Sequence, residues 1–220
     1  MKQKNFISNT NTSVDLFKNR WLNYLTRSHI SVPISMMVIF SGWLFYRSLE
    51  VSGFTTMETM GLFGAGIFLF SFAEYVIHRN LYHLEPKSER RRKFAYLIHG
   101  VHHDYPKDKS RLAMPPAGLI IYLIIFYALF QLLFGKYGYG LFSGFGIGYA
   151  LYLTVHYSVH AFRPPRNFLR VLWTNHAIHH YQDQNAMYGL TSPLWDYVFG
   201  TVVEKKSQRK GPVEVTVEES

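Results

Sequence analysis

Ten of the eleven histidines in this sequence fall into four clusters, which read His-x4-His, His-x2-His-His, His-x3-His and His-x2-His-His. Neutral imidazoles bind zinc, iron and copper in preference to calcium or magnesium. Ten ring nitrogens are too many for one ion. We therefore predict two ions with about five ligands each and a position left open for oxygen or water. The predicted ligands are His78, His83, His99, His102, His103, His156, His160, His176, His179 and His180.

Spacing within the clusters predicts how the rings are placed. Residues three and four apart share a helix face, so each His-x2-His-His triplet is predicted to direct three rings at one point. His156 and His160 lie one helical turn apart. His78 and His83 would lie on different faces of a straight helix, so we predict that the helix ends between them and the chain bends His83 inward. His29 stands alone and is interpreted as an ordinary surface or core histidine.

Three classes of metal protein remain open at this point: a redox enzyme with an iron pair, a metal transporter and a non-catalytic metal-binding protein. A closed structural zinc site needs only four ligands, so the number of histidines favours a redox-active iron pair, although zinc can occupy such ligands in a purified sample. A metal transporter would need ligands near the membrane midplane and a path across it. A non-catalytic metal-binding membrane protein is the third class.

Several side chains near the histidine clusters could orient the ligands or contact a substrate. Glu74, Asp104 and Asn175 are predicted to accept the second ring N–H of a ligand imidazole, while Asp196 is interpreted as structural. Aromatic side chains near the clusters are predicted to line a lipid cleft, with interface anchoring or core packing as the alternative for each. These aromatic residues are Tyr152, Tyr157, Trp173, Tyr181, Tyr188 and Trp195.

The elements that must position these groups are long apolar runs, each near the minimum for crossing a hydrocarbon core of about 30 Å. Four transmembrane helices are predicted. Within the fourth, Gly140, Gly144 and Gly148 predict close packing against another helix. The runs cover residues 30–46, 61–77, 117–134 and 139–155.

The charges predict one topology. Lysine and arginine concentrate before the first run, between the second and third and after the fourth, which places both termini and the central segment in the cytoplasm. The formal net charge is +9, but the basic cluster at residues 90–93 lies between two predicted spans. It therefore favours anionic lipid headgroups, and no nucleic-acid partner is predicted. The absence of cysteine excludes disulfides, cysteine-ligated zinc and iron–sulfur clusters.

Three segments follow from this reading. Residues 1–29 are predicted to be a cytosolic N-terminal segment and residues 30–204 a single membrane-embedded domain. Residues 205–220 are predicted to be a polar, flexible C-terminal tail.

The sequence resembles the fatty acid 2-hydroxylase branch of the fatty acid hydroxylase and sterol desaturase superfamily. The stretches that carry the resemblance are HRNLYH, HGVHHDYPKDKSRLAMPP, HYSVH, NHAIHH and YGLTSPLWDYVFGT, between about Phe72 and Thr201. The resemblance implies an all-α integral membrane fold, with four transmembrane helices under a cytosolic helical cap and a dinuclear site ligated by all ten clustered histidines. It implies two iron ions, O2 as co-substrate and hydroxylation at C2 of a fatty acid or sphingolipid acyl chain. A sterol or carotenoid hydroxylase or desaturase is the nearest alternative.

The sequence departs from the family pattern in two places. Leu153 stands where relatives commonly carry an acidic residue, three positions before the His-x3-His cluster. The N-terminal 29 residues are too short for the haem-binding domain that many relatives carry. We therefore expect electrons from a separate protein, either a b-type cytochrome or a ferredoxin with its reductase. The expected location is a bacterial inner membrane or the endoplasmic reticulum.

Overall fold

The computed structural model describes residues 7, 8, 10–83 and 87–203, and within these residues the chain is helical, with no strand. The predicted tail at 205–220 lies outside the described residues. Two π-helical turns cover His78–Tyr82 and Tyr96–Gly100, and two 3-10 turns cover Lys109–Arg111 and Gly135–Tyr137. The helices are α1 Arg20–Leu25, α2 Ser31–Glu50, α3 Thr56–Ile77, α4 Glu89–Ala95, α5 Val101–Asp104, α6 Pro116–Phe134, α7 Gly138–Ala161, α8 Arg170–Tyr181 and α9 Leu194–Phe199.

Three stretches of the described chain are long and apolar enough to cross a membrane, namely Ser31–Glu50, Thr56–Tyr82 and Lys109–Ala161. The last has 53 residues and contains both α6 and α7. The chain reverses between these two helices at Gly135, whose φ of 52° lies in the left-handed region that glycine adopts without strain.

Ring contacts along α6 and α7 run in opposite order, which shows that the two helices are antiparallel. Tyr122 lies beside Tyr149, with ring centroids 5.3 Å apart. The ring of Phe130, near the C-terminal end of α6, lies 4.9 Å from that of Phe142, near the start of α7. The 53-residue stretch is therefore a helical hairpin.

Helix α7 is the centre of the bundle and packs against α2, α3 and α6. Its approach to α3 is so close that a β-carbon at Gly144 would lie 1.8 Å from the carbonyl oxygen of Phe63. A β-carbon at Gly66 would lie 2.0 Å from the carbonyl oxygen of Leu141. The predicted close packing at the glycine ladder is confirmed.

The contacts between α3 and α7 also set their relative direction. Gly140 faces Leu62, and Gly148, two turns later, faces Phe70. The two helices therefore run parallel and end on the same side of the bundle. That side carries His78 after α3 and the His-x3-His cluster in the last turns of α7.

Candidate metal centre

A π-helical turn brings together the first pair of histidines. Helix α3 ends at Ile77, and the backbone N–H of His83 then donates to the carbonyl of His78 at 3.3 Å. In a turn closed between residues five apart, those residues lie on the same face. The two rings lie with centroids 5.1 Å apart, so the predicted inward turn of His83 is confirmed. The α-helix ends before His78, however, and not between the two histidines as predicted, because the π-helical turn itself brings the rings together.

The first His-x2-His-His triplet divides its rings between two directions. His99 and His103 share a face, with their Nε2 atoms 2.9 Å apart. The Nε2 atom of His102 lies instead 2.9 Å from Nε2 of His156 on α7. Adjacent helical residues point about 100° apart, so a neighbour of His103 cannot follow it to the same point.

The second triplet, on α8, divides in the complementary sense. The Nε2 atom of His179 lies 3.0 Å from Nε2 of His83, while that of His176 lies 2.7 Å from Nε2 of His160. The ring of His180 follows His176, with centroids 4.4 Å apart. The prediction that each triplet converges on one point is therefore wrong, because each triplet contributes to two points.

The result is two groups of five imidazoles, in each of which one nitrogen per ring lies within 4.8 Å of all the others. We call them site 1 and site 2. The sites adjoin, since the ring of His103 in site 1 stacks on that of His180 in site 2 at a centroid distance of 4.2 Å. Site 1 comprises His78, His83, His99, His103 and His179, and site 2 comprises His102, His156, His160, His176 and His180.

The spacing of the nitrogens in both sites fits a cation at each centre. Metal–imidazole bonds of about 2.1 Å at right angles place two ligand nitrogens about 3 Å apart. The closest Nε2 pairs of the two sites lie 2.7 to 3.0 Å apart. The Nε2 atoms of His78 and His180 are buried and find no hydrogen-bond partner in the described chain. Such a group costs about 1–3 kcal/mol, which a bound cation would offset.

The rings are also in the right protonation state to bind a metal ion. Burial lowers the pKa of His83 to about 3, with a smaller contribution from His179, and lowers the pKa of His179 to about 4. Burial and neighbouring imidazoles hold the pKa of His103 well below its usual range. Each ring is therefore neutral near pH 7 and has a lone pair available.

Backbone carbonyls determine which nitrogen carries that lone pair. Nδ1 of His78 lies 2.7 Å from the carbonyl oxygen of Tyr188, and Nδ1 of His179 lies 2.8 Å from that of Ala186. In site 2, Nδ1 of His156 lies 3.0 Å from the carbonyl oxygen of Leu112. A carbonyl only accepts, so these Nδ1 atoms carry the hydrogen and Nε2 is free to face the centre of its site.

Two buried carboxylates hold the loop at residues 186–191 that supplies the site 1 carbonyls. Asp196 accepts the backbone N–H of Tyr188 at 2.8 Å. Glu74 accepts those of Leu190 at 2.6 Å and Thr191 at 3.0 Å. Glu74 was expected to accept from a ligand ring, but in the structure it acts on the loop instead. Sequence reasoning missed the carbonyls because a backbone acceptor has no side-chain signature.

Among the described residues, neither of the two other predicted orienting residues hydrogen-bonds to a histidine ring. Asp104 accepts a hydrogen bond from the hydroxyl of Tyr96, and its carbonyl accepts the backbone N–H of Ser8 at 2.7 Å. Asn175 is buried on α8, and within the described residues no hydrogen bond joins it to an imidazole.

Comparison with known proteins bears on this geometry. Residues 63–201 match the family model of the fatty acid hydroxylases. The chain belongs to the fatty acid hydroxylase family. This confirms the resemblance drawn from the histidine motifs. The match begins about nine residues before Phe72, where the resemblance was expected to begin.

Individual members of the family are similar over most of this chain. It is 35% identical over 200 residues to a fatty acid 2-hydroxylase of Macaca fascicularis, covering 82% of this chain and 54% of the relative. It is 36% identical over 169 residues to a dihydroceramide fatty acyl 2-hydroxylase of Arabidopsis thaliana, covering 76% and 71%. The chain spans about half the length of the animal relatives that it matches.

A solved structure of full-length Scs7p, in which only the hydroxylase domain is visible, has the same fold. It superposes with a TM-score of 0.78 at 33% identity, covering 86% of this chain and 71% of that one. The family fold is therefore present in nearly all of the described residues.

Two of the predicted substrate aromatics lie against the sites of this hydroxylase-family chain. The ring of Tyr152 stacks on His156 with centroids 5.5 Å apart, and that of Tyr188 lies 5.5 Å from His179. Sequence reasoning missed Tyr82, whose ring stacks on His99 at 4.7 Å. The sequence feature that could have indicated it is its position directly before His83.

The other four aromatic candidates have different surroundings. Trp195 donates from its indole N–H to Ser71 Oγ at 3.0 Å, and Trp173 donates to the carbonyl of Phe162 at 3.0 Å. Tyr157 packs on Phe162. The ring of Tyr181 lies 6.0 Å from that of His180 in site 2, but the side chain is 53% exposed.

Proposed function

We propose that this chain is an O2-dependent lipid hydroxylase that inserts one oxygen atom at C2 of a fatty acyl chain, free or in a sphingolipid. The observation that carries the proposal is the pair of adjoining sites, each with five convergent, neutral imidazoles. The relatives named fatty acid 2-hydroxylase and dihydroceramide fatty acyl 2-hydroxylase favour C2 and favour an amide-linked chain as substrate.

We propose that site 1 and site 2 each hold one iron ion, and zinc fits the same ligands in a purified sample. When bound, the ion pair supplies the activation of O2 that attack on an unactivated C–H bond requires. The carbonyls of Tyr188, Ala186 and Leu112 keep three ligand rings in the tautomer that presents Nε2. Burial of the rings keeps bulk water from the reacting atoms.

The proposed membrane topology has four passes, formed by α2, α3, α6 and α7. Support comes from the antiparallel hairpin of α6 and α7 and from the parallel run of α3 and α7, which brings the histidines to one end of the bundle. Ligands at one end are unlike those of a transporter, which lie near the midplane. The distribution of basic residues favours a cytoplasmic site and cytoplasmic termini, in a bacterial inner membrane or the endoplasmic reticulum.

A row of tyrosines marks where we place the acyl chain. From His156 the row continues through Tyr152 to Tyr149, with ring centroids 5.9 Å apart, and on to Tyr122. The hydroxyl of Tyr122 is buried without a hydrogen-bond partner among the described residues. We propose that this row borders the bound lipid and that Tyr188 borders it at site 1. Tyr157, Trp173, Tyr181 and Trp195 stay predictions for more distant parts of the lipid.

Electrons are proposed to come from a separate carrier, a b-type cytochrome or a ferredoxin with its reductase. The two sites use all ten clustered histidines. His29, the eleventh, is exposed and bonded to Ser31, so the described histidines offer no pair of ligands for a haem.

The test is lipid mass spectrometry after expression in a host that lacks hydroxylated acyl chains. The unmodified chain should add one oxygen atom at C2, and His179→Ala should abolish the product. His29→Ala is the matched control and should leave the product unchanged. Normal 2-hydroxylation by His179→Ala would reject the site. A dehydrogenated acyl chain or an oxidised sterol or carotenoid would support the alternative oxidases. Two bound ions with no lipid product would support a non-catalytic metal protein.

A further inference from the structure

The RLAMPP stretch contains a buried arginine whose contacts lie outside both metal sites. The side chain of Arg111 is 3% exposed. It donates from Nη1 to Thr26 Oγ1 at 3.0 Å and from Nη2 to the carbonyl of Val14 at 3.2 Å. Its Nε donates to the hydroxyl oxygen of Ser13. Arg111 therefore ties the start of the third apolar stretch to the N-terminal segment.

Asp108 is the buried counter-charge of this arginine. Its Oδ2 accepts both the backbone N–H of Ser13 at 2.9 Å and the Ser13 hydroxyl at 2.6 Å. Its Oδ1 accepts the backbone N–H and hydroxyl of Ser110, at 3.0 and 2.6 Å. Arg27 approaches Asp108 to 3.8 Å and also donates to the carbonyl of Ser13. Every polar group that this cluster buries thus finds a partner, as a buried ion pair requires.

We call residues 8 and 10–28 the N-terminal strap. One of its ends bonds to the last residue of α5 and the other to the connection between α5 and α6. At one end the N–H of Ser8 donates to the carbonyl of Asp104, and at the other the N–H of Ser28 donates to the carbonyl of Ser110 at 2.9 Å. The strap therefore covers the segment that leads from His103, in site 1, to Leu112, whose carbonyl holds His156 in site 2.

We propose that Asp108, Arg111 and the N-terminal strap are positioning elements for site 2, because they fix the Leu112 carbonyl that orients His156. The inference rests on the proposed metal sites. Leu112 directly follows Arg111 and is 2% exposed, so a shift of the arginine backbone moves the carbonyl with it.

Site 1 depends on other elements, which makes the proposal selective. Its two ring-orienting carbonyls belong to the loop at 186–191, and that loop is held by Glu74 and Asp196. In site 2, Nδ1 of His102 and Nδ1 of His180 are buried without a partner in the described chain. Among the described residues, the carbonyl of Leu112 is therefore the backbone acceptor that orients a site 2 ring. Displacing this carbonyl should weaken metal binding at site 2 and spare site 1.

The experiment measures release of metal ions from the purified full chain in detergent, by adding a chelator and following each ion with time. Loss of a ring-orienting contact commonly weakens metal binding by about 10- to 100-fold. We expect Arg111→Gln to release one of the two ions at least tenfold faster and to leave the other unchanged. Ser13→Ala removes the hydroxyl between Arg111 and Asp108 and should act in the same direction. Amide exchange at residues 105–112 should rise in both variants.

Thr10→Ala is the matched control, since the hydrogen bonds of this hydroxyl to described residues go to its strap neighbours Ser8 and Thr12. It should leave both release rates unchanged. If Arg111→Gln does not fold, Ser13→Ala decides alone. Equal acceleration of both ions, or no change in either with Ser13→Ala, overturns the proposal. Selective release from a chain that makes no 2-hydroxy lipid would support the strap and reject the proposed function. Fewer than two ions in the unmodified chain would overturn both.

Discussion

Site 1 and site 2 contain the same number of imidazoles but are held in different ways. Two of the five rings of site 1 are oriented by carbonyls of a loop that two buried carboxylates bond to the bundle, one from α3 and one from α9. Site 2 has one such carbonyl in the described chain, and its support is the N-terminal strap. Equal ligand sets can therefore differ in robustness, because the contacts that orient the rings come from unrelated parts of the chain.

A substitution that disrupts both sites at once should have the largest effect on metal binding. Gly144→Val would place a β-carbon 1.8 Å from the Phe63 carbonyl oxygen and force α3 and α7 apart. Helix α3 leads directly into His78 of site 1 and α7 carries His156 and His160 of site 2, so both ions should be lost, together with about 3 kcal/mol or more of stability. Metal analysis and thermal unfolding in detergent check this. Gly64→Val, where nothing lies within 4 Å of the added β-carbon, is the matched control. Retention of either ion by Gly144→Val would count against the packing described.

Asp196→Ala should weaken metal binding at site 1 much more than at site 2. It leaves the backbone N–H groups of Tyr188 and Gly189 unpaired in a buried loop, at a cost of about 3 kcal/mol. Release of the site 1 ion should accelerate strongly, with a much smaller change at site 2. Chelator kinetics on the purified chain measure both rates. Faster release at site 2 than at site 1 would contradict the assignment of this loop to site 1.

Glu74→Gln should act in the same direction and less strongly. The amide oxygen can still accept from Leu190 or Thr191, but the charge that strengthens both hydrogen bonds is lost. We expect about 1–2 kcal/mol of lost stability. The same release assay, with Glu58→Gln at the far end of α3 as control, tests it. Equal effects of the two substitutions would remove any special role of Glu74.

The smallest expected effect concerns Tyr82, which stacks on His99 of site 1. Tyr82→Phe keeps the aromatic ring and should leave metal release unchanged. Tyr82→Ala removes a ring contact of about 1 kcal/mol and should accelerate release from site 1 by about fivefold. A large effect of Tyr82→Phe would show that the hydroxyl, and not the ring, is what site 1 needs.

The membrane helices could be predicted from apolar runs alone, with errors where a helix leaves the apolar region. The run at 117–134 corresponds to Pro116–Phe134. The run at 139–155 stops before α7 does, since α7 continues to Ala161 and carries His156 and His160 in its last turns. Hydrophobicity locates the apolar part of a helix, but it does not show how far the helix continues into the polar region where the functional residues lie.

The ten histidines could be identified from type and spacing, but their division between the sites could not. That division depends on the rotation of His102 relative to His103 and of His179 relative to His180, which only the packed helices fix. The strap was predicted only as a cytosolic segment. Its anchor, the pair Asp108 and Arg111, has the ordinary spacing of a helical salt bridge, and nothing in that spacing indicates a partner 98 residues away.

The π-helical turn at His78–Tyr82 closes between residues five apart, whereas an α-helical turn closes between residues four apart. Arg79, Asn80 and Leu81 are exposed, so we expect the turn to tolerate replacement of their side chains. In an unbroken α-helix, residues five apart would point about 140° away from each other, so the π-helical turn is what keeps His83 on the same side as His78. Among related sequences, a chain with one residue fewer between these two histidines should therefore form an ordinary α-helical turn at this point, because residues four apart already share a face.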